Sequence, residues 1–149
     1  MRGIIKDTKA ESILRKRVED VKKGDHRKIF SRMWLKTMQK RKEAVGFACN
    51  QLGMDHYAFL GLINGRWFFF ANPVIVRASK ETTTGVEGCL SIPKAQYEVA
   101  RHDWVEMDYE DEYGHSCSGK FEGFNAVVIQ HEIDHLNGVL ILDKGTETK

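Results

Sequence analysis

The stretch Gln130-His131-Glu132-Ile133-Asp134-His135-Leu136-Asn137-Gly138 constrains this chain more than any other. Its H-E-x-x-H spacing, on a helix of 3.6 residues per turn, sets the two imidazoles only about 40° apart around the axis, so both can face one metal ion. Glu132 lies within reach of a water on that ion, the usual place for a general base. Phe124, Ala126, Val127, Val128 and Ile129 precede the motif, and Ile133 and Leu136 fall within and just after it. A helix apolar on nearly every side is a buried one. An exposed amphipathic helix that happens to carry two histidines is the bland alternative, and the apolar circumference speaks against it. Two histidines and two acids inside such a helix are costly unless something pairs with them, and a metal does so.

At 149 residues the chain is long enough for a real core and is expected to form one domain over 1–149. No apolar run reaches the length of a membrane span. The start, Met1-Arg2-Gly3-Ile4-Ile5-Lys6-Asp7, has no hydrophobic signal core, and Asp7 and Glu11 disfavour a transit peptide. A cytoplasmic location is expected. Cys49, Cys89 and Cys117 are odd in number and far apart, which fits a reducing compartment and no disulfide framework. Charge is uneven: residues 1–43 hold 15 Lys and Arg against 6 Asp and Glu, and residues 44–149 hold 8 against 15. A basic amino-terminal third can be a solvated helix face, or can meet phosphates on RNA or a ribosome.

Apolar spacing predicts helices over 10–23 and 26–43, with Asp25 as a cap between them. Tyr57–Ile63 and Trp67–Ala71 flank Asn64-Gly65-Arg66, a strong hairpin signal. Further strands are expected over Pro73–Arg77, within Tyr97–Tyr109 and over His115–Phe121, with Thr82–Gly85 a polar loop. Asn137-Gly138 should stop the H-E-x-x-H helix, Val139–Leu142 should form a short strand, and Lys144–Lys149 a loose tail. The order predicts an α+β domain with antiparallel β-sheets wrapped around a buried central helix carrying H-E-x-x-H, preceded by amino-terminal helices.

Two histidines do not complete a catalytic site, which keeps three protein ligands and an open position. Cys89, Cys117, Cys49, His115 and the carboxylates are all candidates for the third. Cys89 stands out because Gly88 lets the backbone come close and a strand-like Leu-Ser-Ile follows. Gln51 is the only long polar side chain in the small-residue stretch Ala44–Gly53, and reads equally well as a satisfied loop glutamine.

Three segments, Gly46-Phe47-Ala48-Cys49-Asn50-Gln51-Leu52-Gly53, Glu87-Gly88-Cys89-Leu90-Ser91 and Gln130-His131-Glu132-Ile133-Asp134-His135-Leu136, together resemble the signatures of peptide deformylases, in order and at about their separations. H-E-x-x-H is shared with many metallopeptidases, whereas E-G-C-L-S upstream of it is close to diagnostic. The resemblance implies removal of the N-formyl group from the terminal methionine of new polypeptides, releasing formate. It implies that Cys89, His131 and His135 bind one divalent metal, natively ferrous iron, with zinc, nickel or cobalt able to substitute. Glu132 matches the general base and acid that works on a metal-bound water, and Gln51 and the Leu90 N–H match the groups that hold the formyl oxygen. Val45 and Gly46 match the strand edge along which substrate lies, Glu87 and Gly88 fall in the same substrate-binding set, and Val127 and Val128 fall where the family lines its methionine pocket. The family's partners would be formyl-methionyl nascent peptides, with no membrane and a monomeric enzyme.

The chain departs from the family in two places. Ala44 replaces a usual first glycine, which would narrow the peptide groove. The sequence ends at Lys149 where bacterial members continue into a carboxy-terminal ribosome-binding helix. It therefore looks like the short variants of some phage and marine viral genomes, and the basic region 1–43 is expected to offer a different ribosome contact. Three rivals remain: an H-E-x-x-H metallopeptidase with its third ligand at Asp143 or Glu147, a non-enzymatic zinc- or RNA-binding module, and a His₂Cys copper site of the kind normally carried on β-sandwich loops.

Overall fold

A computed structural model describes residues 4–6 and 13–148. Two antiparallel sheets pack against one helix, α2 (Phe124–Leu136). The larger sheet has the order β1 (Gly46–Ala48), β2 (Ala58–Ile63), β3 (Arg66–Ala78), β6 (Trp104–Glu110) and β7 (Ser116–Glu122). The smaller joins β4 (Thr82–Cys89), β5 (Ile92–His102) and β8 (Thr146–Glu147). The α+β architecture read from the sequence is the one observed.

The β2–β3 hairpin turns at Asn64-Gly65, with φ of 51° and 81° at the two positions. Both angles are positive, as a two-residue turn matching strand twist requires. The residues that follow alternate between two cores. Phe59 and Phe70, ring centroids 4.8 Å apart, pack with Val105, Met107, Ala126, Ile129 and Leu136 on the α2 side. Ala58, Leu60, Phe69 and Ala71 pack on the other side with Ile29 and Met33 of α1 (His26–Lys36). A sheet covered on both faces reads as continuous apolar sequence, which is what Ala58–Ile63 shows.

Several elements differ from the sequence reading. Of the helix expected over 10–23, residues 10–12 lie outside the described residues, and Ile13–Arg15 is a single 3₁₀ turn. Beyond it the backbone bonds to other elements: Val18 N–H to Leu136 O (3.0 Å), Tyr57 N–H to Glu19 O (2.6 Å) and Val21 N–H to Asn72 Oδ1 (2.8 Å). Leu14, Val18 and Val21 are buried at helical spacing, but these tertiary partners override propensity. One α-helix therefore stands where two were expected. It ends at Lys36, after which the Thr37 hydroxyl bonds back to Met33 O, and the Asp25 side chain makes no capping bond.

Thr82–Gly85 belongs to strand β4 instead of a loop; its β-branched threonines suit a strand with an exposed face. The stretch 97–109 is two strands broken at Asp103. Asn72-Pro73 does not end β3 but shifts its register against β6, with Asn72 at φ 49°. Residues 141–144 form a short helix, α3 (Ile141–Lys144), where a strand was expected. In the tail, Thr146 and Glu147 pair with Glu98 and Tyr97 of β5. Gly138 (φ 78°) does stop α2, and a Cβ there would lie 2.7 Å from the Arg15 backbone. No helix among the described residues is long and apolar enough to cross a membrane.

Candidate active site

Helix α2 supplies His131, Glu132 and His135, and the β4–β5 hairpin supplies Cys89. Cys89 pairs with Ile92 across the two-residue turn Leu90-Ser91, and this turn carries the chain over the helix. The donor atoms of Cys89, His131 and His135 all lie within 4.8 Å of one another, the one such trio among the described residues. Cys89 Sγ is 3.3 Å from His135 Nε2. The other third-ligand candidates lie elsewhere. Cys49 is buried with its Sγ 3.3 Å from Met33 Sδ, and Cys117 and His115 sit beside Asp111 on the far hairpin.

The electrostatics of the trio suit a cation. Burial alone would lower the His131 pKa, but hydrogen bonds with Cys89 and Glu87 and the nearby Glu132 charge raise it to about 10. A metal binding here takes the place of that proton, since an imidazole ligates in its neutral form. Burial, reinforced by the charges of His131 and Arg101, holds His135 well below its ordinary value, in the neutral form that ligates metal. A thiol and two imidazoles form a donor set that divalent iron and zinc both accept.

Behind His131 stands a buried charge chain that the sequence reading did not identify. His131 Nδ1 lies 2.9 Å from Glu87 Oε1, and Arg101 donates to both Glu87 oxygens at 2.8 and 2.9 Å. Arg101 also donates to Asp134, which lies 3.2 Å from Lys144 Nζ. Burial would raise the Glu87 pKa, but the Arg101 and His131 hydrogen bonds outweigh it and hold it at about 2. Glu87 touches the cleft, yet its oxygens are engaged, Oε1 with His131 and Arg101 and Oε2 with Arg101. The signal for Arg101 was period-two alternation: it shares a strand face with buried Val99, and a cation there needs acids.

Glu132 is buried, and its Oε1 has no hydrogen-bond partner among the described residues. Burial is the main reason its carboxyl is raised to about 7. Gly46, at the start of β1, leaves room for it: a Cβ there would stand 2.4 Å from Glu132 Oε2. Gln51 lies in the 3₁₀ turn Cys49–Leu52 that follows β1. Its Oε1 accepts from Ala48 N–H at 2.9 Å, which turns the amide nitrogen toward Cys89 Sγ (3.4 Å) and Ser91 Oγ (3.2 Å). Asn50, also missed, ties this turn to α2 by donating to His135 O.

These groups open into a cleft of about 1120 Å³. It is lined by Ala44, Val45 and Gly46, which lead into β1, and by Glu87, Gly88 and Cys89 at the end of β4. The floor is α2, with Val127, Val128, His131 and Glu132. β1 and β4 are each the outermost strand of their sheet among the described residues, and residues of both line the cleft. Phe124, expected inside, is exposed at the mouth.

The family model described as polypeptide deformylase matches residues 1–149. The chain belongs to this family. A peptide deformylase of Thermotoga neapolitana is 38% identical over 136 residues, covering 90% of this chain and 82% of that protein. The crystal structure of peptide deformylase from Thermotoga maritima superposes with a TM-score of 0.86 at 29% identity, covering 98% of this chain and 99% of that one. A class I type b peptide deformylase from Acinetobacter baumannii, solved with Met-Ala-Ser bound, gives a TM-score of 0.84 at 26% identity over 95% of this chain and 96% of its own. The chain is a deformylase, in a metal-dependent family and with a Cys/His/His cluster fit for a metal.

Proposed function

We propose that this deformylase hydrolyses the formamide of formyl-methionyl peptides at the Cys89/His131/His135 cluster, with Glu132 as general base and then acid. The observation that carries the reading is the Glu132 carboxylate: buried, with one oxygen unpartnered, in the same cleft as three convergent metal ligands. Cys89, His131 and His135 would hold one divalent metal, iron in the cell, with zinc, nickel or cobalt as substitutes. When bound, such an ion polarises the formyl carbonyl and acidifies a water. Glu132, its carboxyl raised to about 7 mainly by burial, would be the proton carrier, taking a proton from the attacking water and delivering it to the departing methionine nitrogen. Gln51 Nε2 and the Leu90 N–H donate to the formyl oxygen as it gains charge. One such donor is worth roughly 3–4 kcal/mol in related hydrolyses. Glu87 and Arg101 keep the His131 ring turned so that its other nitrogen faces the metal.

The peptide lies as an added strand between the edges of β1 and β4, using Val45, Gly46 and Gly88, with the methionine side chain against Val127 and Val128. The Acinetobacter relative, solved with Met-Ala-Ser bound, supports a short methionine-led peptide as the occupant. The metallopeptidase rival loses its downstream ligands: Asp143 is held by Arg15 at 2.8 Å, and Glu147 lies in β8.

Formate release from formyl-Met-Ala-Ser by anaerobically prepared, iron-loaded protein tests the reading. Activity should vanish in Glu132→Ala with metal retained. Cleavage of unformylated peptides instead, or no formate with any of the four metals, would reject it.

A further inference from the structure

The cleft does not end at the methionine pocket. With the formyl carbon beside Glu132 and Gly46, a peptide paired along β1 must run outward past Val45 and Ala44, antiparallel to the chain. Ahead of Val45 the chain is no longer extended: Glu43 N–H bonds to Lys40 O in a turn, and Arg41, Lys42 and Glu43 of that turn line the cleft where the residues after the methionine pass. The cleft lining carries the cations Lys6, Arg41, Lys42 and Lys94, against the acids Glu43 and Glu147 outside the catalytic cluster. Arg41 is engaged, stacked 3.6 Å from the Trp34 ring centroid and donating to its carbonyl. Lys6 donates to Leu90 O at 2.9 Å, and Glu43 lies 3.3 Å from Lys40.

Lys94 is placed by the backbone. The β4–β5 ladder jumps from Gly88↔Gln96 to Cys89↔Ile92, so residues 93–95 bulge out beside the ligand cysteine. Lys94 takes φ 66° in that bulge, a conformation costly for a lysine and one that bulges near active sites use to redirect a side chain.

We propose that Lys42 and Lys94 make this enzyme selective for formylated peptides with an acidic residue at the second or third position after the formyl-methionine. The inference rests on the deformylase reading and names a substrate class within it. The pair raises the local concentration of acidic peptides and contacts them directly at the rim, so it acts on KM.

The test uses amidated peptides, so that no terminal carboxylate competes: formyl-Met-Ala-Ser, formyl-Met-Ala-Asp and formyl-Met-Ala-Lys. At low salt, kcat/KM should be about three- to tenfold higher for the Asp than for the Lys peptide, mostly in KM, and the ratio should shrink as salt screens the rim. In the double variant Lys42→Glu/Lys94→Glu the order should reverse. In Lys42→Gln/Lys94→Gln it should flatten, with thermal melting reporting the fold of each. Equal kcat/KM for the two charged peptides, or a preference unchanged in the Gln variant, would overturn the proposal. No formate from formyl-Met-Ala-Ser would reject the deformylase reading, and this inference with it.

Discussion

The Glu132 carboxylate rests against the bare α-carbon of Gly46, where a Cβ would stand 2.4 Å from Oε2. The obstructed atoms, Oε2, Cδ and Cγ, all belong to the Glu132 side chain and none to backbone, so Gly46→Ala should displace the carboxylate and leave the fold standing. A displacement of about 1 Å at a reacting group costs on the order of a hundredfold. The expected result is a kcat lowered about 100-fold, with metal content and melting temperature little changed. Steady-state kinetics beside metal analysis checks it; a kcat within threefold of the parent would show that Glu132 is not confined as described.

Gln51 is aimed by two bonds, from Ala48 N–H and toward Ser91 Oγ. If its amide stabilises the developing oxyanion, Gln51→Leu should lower kcat about 10²–10³-fold with KM within a few-fold. Ser91→Ala removes only the outer support and should cost less. A Gln51 variant that raises KM alone would assign the residue to ground-state binding.

Glu87 has its carboxyl held at about 2 in the folded chain, below its ordinary 4.5. Because the folded value is depressed, its stabilisation is fully present above pH 4.5 and drains away as pH falls toward 2. Urea unfolding between pH 6 and 2.5 should show that loss. Arg101→Met leaves Glu87 buried without its main partner and should destabilise the protein by about 3–5 kcal/mol at pH 7, with a shallower acid slope. An acid slope equal to the parent's would remove Glu87 as its source.

Metal removal should be visible in thiol chemistry. Cys49 is fully buried, and burial pushes its thiol up, so it should stay inert in the native state. Cys89 faces the cleft and should react with a thiol reagent once a chelator has stripped the metal, and be protected when zinc is restored. Mass spectrometry of the labelled protein decides the matter; labelling of Cys89 at equal rates with and without zinc would argue against thiolate ligation.

The basic amino-terminal region is proposed to contact the ribosome. Arg15 and Arg17 already pair with Asp143 and Asp20, whereas Arg27, Lys28 and Arg32 lie exposed on α1. Co-pelleting with ribosomes should therefore be salt-sensitive and fall several-fold in the triple variant Arg27→Gln, Lys28→Gln, Arg32→Gln. Absence of pelleting at low salt would dismiss the contact.

His131, Glu132, His135 and the burial of their helix were legible without any structure, because helical periodicity and the cost of buried polar groups act within thirteen residues. Asn64-Gly65 was legible for the same local reason, since only a few residues tolerate positive φ. The segment 13–23 was misread because Leu14, Val18 and Val21 satisfy helical spacing equally well when each packs on a different neighbour. The strand at Thr82 was missed because residues 82–86 are exposed on both faces, so no buried side imposes an apolar–polar alternation on them.

Local chemistry thus determined which residues could hold a metal and move a proton. How Gln51 was turned, why Gly46 lacks a side chain and what holds His131 were decided only by the tertiary structure, which also brings Cys89, already singled out along the chain, up to the two histidines. Each of those depends on strands and turns tens of residues apart meeting over one helix. The partners of Cys89, Arg101 and Gly46 are set by distances in space that no spacing along the chain encodes.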